Sequence, residues 1–225
     1  MGADIAAQVT AVRAEMQTRP GGLVRHVERV LREALDLAAT WDLDPGRTEL
    51  ATWGHDLFRA FAPEEQLRLA RETGVPVYPE DERSPVLLHG PIAAAVLHER
   101  FAVTDEEALA AVRDHTLGDR RMPLLAKVIL IADKVEEHKR RRAYAMRAVR
   151  RLAHRDLDLA LLCWADWKWV DERTHGWESH PLHWAARTEW VREHHAELAM
   201  PGRISDVEFD ASVLGVRFQS FQSGF

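Results

Sequence analysis

Six side chains along this sequence are of the types that hold transition metals: His26, the adjacent pair His55-Asp56, His89, His115 and Asp133. Each lies in or beside an apolar stretch. His26 stands in LVRHVERVL, His89 in VLLHGPIAAAVL and Asp133 in KVILIADKV. An imidazole or carboxylate set among apolar residues has to be hydrogen-bonded, paired or metallated, because burying it alone is costly. Four imidazoles and two carboxylates form a nitrogen–oxygen set suited to iron, manganese, zinc or similar ions. One structural zinc needs fewer ligands; the set fits two ions sharing a carboxylate, with room for water. Such a pair suits phosphoryl chemistry, since it lowers the pKa of a bound water and neutralises charge on the phosphoryl oxygens in the transition state. Taken singly, each histidine reads as a satisfied core residue. The set of six carries the metal reading. Gly21-Gly22 and Gly90-Pro91 are isolated and make no phosphate-cradling loop.

The elements that must position these residues are helices. Residues 4–18 predict a first helix, and a second runs from about Leu23 to Thr40, with Val27, Val30, Leu31, Ala34 and Leu35 near a 3.6 period. A third covers roughly Arg47 to Phe58 and carries His55 and Asp56; another starts at Pro63. Gly74 to Pro85 reads as irregular, and helix returns from Gly90 to Glu99. Thr104 is the expected N-cap of the next, which ends near Gly118. One long helix is expected from Pro123 through AKVILIADKVEEHKRRR, then others at about 155–172 and 184–198. The spacing after Pro201 is that of short strands. This divides the chain into an N-terminal helix (1–20), a helical domain (21–195) and a C-terminal extension (196–225). Packed as a bundle, the helices bring the six ligands to one interior site.

Composition narrows the partners. The formal charge is -6, from 36 acidic against 30 basic residues, which argues against extended nucleic acid but not against a small nucleotide in a locally basic pocket. A single cysteine, Cys163, excludes an internal disulfide and a thiolate zinc cluster. No apolar run is long enough for a membrane span, and the start lacks the order of a secretory signal, so the expected location is cytoplasmic.

The densest motif is VRDHTLGDRRMPLLAKVILIADKVEEHKR, residues 112–140. With His55-Asp56 followed by Arg59, with LLHGPIAAAVL, and with His180-Pro181 and Ala186-Arg187-Thr188, it resembles the HD-domain hydrolases. Within them it is most similar to the YqeK-like symmetrical diadenosine tetraphosphate hydrolases. The likeness covers roughly residues 20–193. It implies an all-α HD-domain helical bundle with a dinuclear centre, usually iron. One metal takes His26, His55, Asp56 and Asp133; the second shares Asp56 and adds His89 and His115. The implied substrate is a dinucleoside polyphosphate, Ap4A giving two ADP. Leu23 and Val27 depart from the family, which has Arg and Thr there.

On this reading Asp56 and Asp133 serve catalysis through the metals, with Asp133 also orienting the attacking water, and Arg59 and Lys127 hold phosphate charge. Arg120 or Arg121 is a further candidate, and Lys127 has the plainer reading of a surface ion pair. The run KRRR at 139–142 reads as a solvated helix face. Six of the eight tryptophans fall between Trp164 and Trp190. Trp164, Trp167, Trp184 and Trp190 read as core or a homodimer interface, with base stacking the minor alternative. Two rival functions remain: an HD phosphohydrolase for another nucleotide, and a non-catalytic sensor or interaction protein on the same scaffold. The intact ligand set speaks against the sensor.

Overall fold

The structure, a computed structural model, describes residues 4–194, and over that span the helical periodicity is realised as twelve α-helices with no strand among the described residues. They are α1 (Ile5–Gln17), α2 (Gly21–Thr40), α3 (Pro45–Gly54), α4 (Pro63–Glu72), α5 (Pro79–Arg83), α6 (His89–Phe101), α7 (Glu106–Asp114), α8 (Leu124–Val135), α9 (Glu137–Arg142), α10 (Ala145–Ala153), α11 (Leu157–His175) and α12 (Pro181–His194). A 3₁₀ turn, Pro85–Leu88, leads into α6. The expected strands after Pro201 lie outside the described residues. No described helix is long and apolar enough to cross a membrane.

The centre of the bundle is α8. Leu125, Ala126, Val128, Ile129, Leu130, Ile131, Ala132, Asp133 and Val135 are all buried, and a helix apolar nearly all round belongs inside. α2, α3, α7, α10 and α11 pack against it. Their inward residues, among them Val30, Leu37, Leu50, Trp53, Val112, Val149 and Leu161, join it in one core. Each fully buried aliphatic side chain contributes about 1.5–3 kcal/mol. α1 adds Val12 and Met16 to the same core, and α6 packs on α7.

Several boundaries differ from the sequence expectation, each for a local reason. The cap of α7 is Asp105, not Thr104: its carboxylate accepts from the N–H groups of Glu107 and Ala108 and also meets Arg47 of α3. α3 stops at Gly54, and the chain tightens into turns closed by Leu57 N–H to Gly54 and Arg59 N–H to Asp56. The long helix expected from Pro123 breaks at Glu136, whose ψ of 159° is not helical and whose carboxylate accepts the His138 N–H at the start of α9. α5, inside the stretch from Gly74 to Pro85 expected to be irregular, and α10 are elements that the sequence reading does not supply.

Candidate metal centre

Three of the four imidazoles sit at helix ends, and that decides how they point. His55 follows α3, His115 follows α7, and His89 opens α6 behind the 3₁₀ turn. The last carbonyls of a helix have no partner along the helix. Here histidine supplies one: His55 Nδ1 lies 2.6 Å from the Thr52 carbonyl and His115 Nδ1 2.8 Å from that of Val112. His89 Nδ1 meets the Val86 carbonyl in the same i−3 relation. A carbonyl only accepts, so each Nδ1 carries the proton and each Nε2 keeps a lone pair, the arrangement that orients a metal-binding histidine.

Asp56 is the hub on which they converge. Its Oδ1 lies 3.0 Å from His89 Nε2 and 3.5 Å from His115 Nε2, and its Oδ2 lies 3.4 Å from His26 Nε2 and 3.6 Å from His55 Nε2. Asp133 joins on the His26 side, its Oδ1 3.1 Å from His26 Nε2. Two groups result, His26–His55–Asp56 and Asp56–His89–His115, the ligand atoms of each lying within 4.8 Å of one another. Asp56 belongs to both, as a bridging carboxylate must.

A buried cluster of this kind is tested by what its polar atoms lack. His26 Nε2, His55 Nε2 and both oxygens of Asp56 are buried without a hydrogen-bond partner, and each such atom costs about 1–3 kcal/mol. His89 Nε2 and His115 Nε2 face each other at 2.9 Å with both Nδ1 atoms engaged elsewhere. Two opposed lone pairs repel, and a cation relieves the repulsion. The donors therefore fit two metal ions.

The protonation states of Asp56, Asp133, His55 and His115 agree, whereas His26 is opposed by burial and raised by the adjoining Asp133 and Asp56 carboxylates. Burial alone would push the Asp56 carboxyl up, but His55 and the other imidazoles outweigh it and hold it well below the usual carboxylate range. Asp133 is likewise opposed by burial and held down by Lys134, Lys139 and His26; Lys134 Nζ is 2.6 Å from Oδ2 and Lys139 Nζ 2.5 Å from Oδ1. Burial drives His115 down to about 3 and lowers His55. Ionised carboxylates with neutral imidazoles are the forms that bind metal.

Neighbouring contacts hold the cluster together. A Cβ on Gly90 would sit 2.9 Å from the carbonyl oxygens of Val112 and Arg113 and 3.1 Å from His115 Cε1. Only glycine lets α6 begin this close to the end of α7, and the approach sets His89 beside His115. Arg19 at the end of α1 donates to the Leu57 carbonyl at 2.9 Å, and Gln66 of α4 donates to that of Phe58 at 2.9 Å, bracing the turn that carries His55 and Asp56. Glu136 accepts from Arg29 at 2.6 Å and lies 3.8 Å from His26 Nδ1. α12 closes the loop after His115: His183 Nδ1 donates to the Leu117 carbonyl and Trp190 Nε1 to that of Asp119.

Two cavities border the centre. One, of about 400 Å³, lies on the His26 side with Leu23, Arg29 and His138; the other, of about 420 Å³, lies on the His89 side with Thr116, Trp164, Trp167 and Trp177. Arg59, Lys139 and Arg142 line both.

The six expected ligands are thus brought together, and Arg59 with them, its guanidinium 3.6 Å from Asp56 Oδ1. Lys127 is not. It stands six residues before Asp133, about 240° around the helix, and its ammonium pairs with Asp158 of α11 at 2.5 Å; the plainer reading of this residue is the one the structure bears. Arg120 and Arg121 are exposed and line neither cavity. The run at 139–142 is only in part a solvated face: Arg141 and Arg142 are exposed, but Lys139 reaches Asp133, Arg140 pairs with Glu33, and Arg142 borders both cavities. Trp164 and Trp190 are core residues, whereas Trp184 is exposed. Sequence reasoning gave no role at the site to Lys134, Lys139, Arg142 or Thr116, whose hydroxyl is 3.1 Å from His115 Nε2. Only the adjacency of Lys134 and Thr116 to ligands was a usable signal.

Residues 23–138, a span that holds all six ligands, match the family model described as HD domain. The chain belongs to the HD domain family. This HD protein is 36% identical over 140 residues to the symmetrical bis(5'-nucleosyl)-tetraphosphatase of Bacillus subtilis, covering 61% of this chain and 72% of that one. It is 32% identical over 142 residues to the protein of the same name from Halalkalibacterium halodurans, again 61% and 72% of the two chains. A crystal structure from Clostridium acetobutylicum, described as a predicted HD superfamily hydrolase involved in NAD metabolism, superposes with a TM-score of 0.76 at 26% identity, over 82% of this chain and 97% of that one. The buried histidine–aspartate cluster is a candidate dinuclear metal site, consistent with an HD-domain metal-dependent phosphohydrolase.

Proposed function

We propose that this HD protein hydrolyses a dinucleoside tetraphosphate symmetrically, converting Ap4A to two ADP, with two iron ions at the centre. The observation that carries this reading is the pair of cavities flanking the cluster and joined by Arg59, Lys139 and Arg142. A polyphosphate with a nucleoside at each end needs a cationic bridge and room on both sides; a mononucleotide needs one side only. The names of the relatives from Bacillus subtilis and Halalkalibacterium halodurans support the same substrate.

The six side chains would hold two metal ions, which would supply Lewis acidity at the phosphoryl group and lower the pKa of water there. The chain does the rest. Arg59, partly exposed over Asp56, offers a planar guanidinium that can engage two phosphoryl oxygens. Lys139 and Arg142 hold the phosphate chain across the two cavities, so that its central P–O–P link lies over the cluster. The water oxygen bonds to one inner phosphorus as the bond from that phosphorus to the central bridging oxygen breaks. The bridging oxygen leaves with the second ADP, and the water's protons pass to solvent.

The test is a product analysis of protein loaded with iron or manganese and offered Ap4A, dATP, dAMP and ppGpp in parallel, with bound metal counted on the same sample. Two ADP from Ap4A at a rate well above the others is the expected result. Preference for another nucleotide with two metals bound would overturn the substrate and keep the metal chemistry.

A further inference from the structure

The cavity beside His89 has two sides of different chemistry. One is cationic, with Arg59, Lys134, Lys139 and Arg142; the other, along and just beyond α11, carries Trp164, Trp167 and Trp177 together with Lys168, Asp171 and Glu172. Helical spacing explains the aromatic side. Positions 164, 167, 168 and 171 recur at three and four residues and share one face of α11, whereas Trp169 falls on another face and is 43% exposed. Trp164 is buried and belongs to the core, but Trp167 is only partly buried and Trp177 is 58% exposed. His175 stacks on the Trp177 indole, with ring centroids 4.6 Å apart and planes at 20°, which steadies that ring at the cavity wall.

A ligand complementary to such a cavity carries negative charge at one end and a flat π face at the other. A nucleoside phosphate has both. The volume of about 420 Å³ falls within the roughly 300–1,000 Å³ of small-molecule pockets. The cavity on the His26 side has no tryptophan in its lining. We propose that Trp167 and Trp177 form the stacking site for one nucleobase of the substrate, whose phosphates run from there over Arg142 and Lys139 to the metal cluster. This rests on the reading of the cluster as a nucleotide phosphohydrolase and adds the residues that recognise the base.

The experiment uses manganese-loaded protein and two probes, ADP and inorganic pyrophosphate, with binding followed by calorimetry and tryptophan fluorescence. Wild type is expected to bind ADP more tightly than pyrophosphate and to lose fluorescence as it does so. Trp177→Ala and Trp167→Ala are expected to weaken ADP binding roughly 5- to 150-fold, the range that one stacked base supplies, and to leave pyrophosphate binding unchanged. Trp177→Phe retains most of the affinity, and Trp169→Ala matches wild type. On Ap4A the alanine variants raise KM with kcat nearly unchanged. Because Trp177 is mostly exposed, its variant serves even where Trp167→Ala melts early. ADP affinity unchanged in both alanine variants, in a wild type that does bind ADP, overturns the stacking site alone. A wild type that binds neither probe and cleaves no nucleotide overturns the underlying function as well.

Discussion

Replacing Gly90 by alanine is a small change with a large predicted effect. An added Cβ would stand 2.9 Å from two backbone oxygens, those of Val112 and Arg113, whereas ordinary contact begins at 3.4 Å. α6 and the end of α7 must then part by about 0.5 Å, and backbone atoms cannot step aside as a side chain would. Overpacking of this sort costs about 1–3 kcal/mol. Alanine recovers about 0.5–1 kcal/mol of helix entropy at the same position, so the net loss is about 0–2.5 kcal/mol. For a chain of this size that lowers Tm by up to roughly 10 °C. His89 and His115 sit on the two sides of the widened contact, and a shift of about 0.5 Å exceeds the ~0.2 Å tolerance of a metal–ligand bond. Affinity for the ion held by Asp56, His89 and His115 is therefore expected to fall about 10- to 100-fold. Gly22→Ala is the counter-case, because nothing lies within 4 Å of its added Cβ at the start of α2; it should raise stability by about 0.4–1 kcal/mol. Calorimetric melting and metal titration with elemental analysis read both variants. A Gly90→Ala protein as stable as wild type and still binding two metals would refute the close-approach argument.

Asp56→Asn removes the carboxylate shared by both ligand groups, and turnover should fall by more than about 100-fold, with bound metal dropping below one ion per chain on elemental analysis. Chelation of metal-loaded protein should cost about 2.7 kcal/mol where free metal had been held at a hundred times its Kd, or roughly 5–11 °C in Tm; an unchanged melt argues against metal in the folded state. Arg142→Ala should raise KM for the polyphosphate substrate about 10-fold or more, by loss of a charge-assisted contact, while Arg141→Ala, whose residue pairs with Glu137 at the surface, leaves KM unaltered. The Arg47 guanidinium beside Asp105 holds that carboxyl below its ordinary value. A depressed folded pKa means that the ionised pair stabilises above the unfolded carboxylate value and ceases to do so as pH falls through the folded one. The stability gap between wild type and Arg47→Met, about 0.5–1 kcal/mol at pH 7 for a half-exposed pair, should close on acidification below about pH 4, as denaturant melts across that range will record.

Much of this protein was legible in its sequence because the informative features are local. Apolar residues recurring at three and four positions determine helices wherever they fall, and six imidazoles and carboxylates lodged in such stretches demand a partner. Their identity as a nitrogen–oxygen donor set, and hence the metal chemistry, follows from residue type alone. Which cations reach the cluster was decided by tertiary structure. Lys127 sits in the densest motif, yet the phase of α8 turns it to Asp158; Lys139 and Arg142 look like part of a solvated run, yet the break at Glu136 swings α9 back to the cluster. The aim of the imidazoles is equally a product of the fold. Helix ends leave the Thr52 and Val112 carbonyls spare, and those carbonyls dictate which ring nitrogen faces the metals. Residue types determine what a site can bind, whereas helix ends, phases and close approaches decide which atoms meet, because those depend on packing partners far away in the chain.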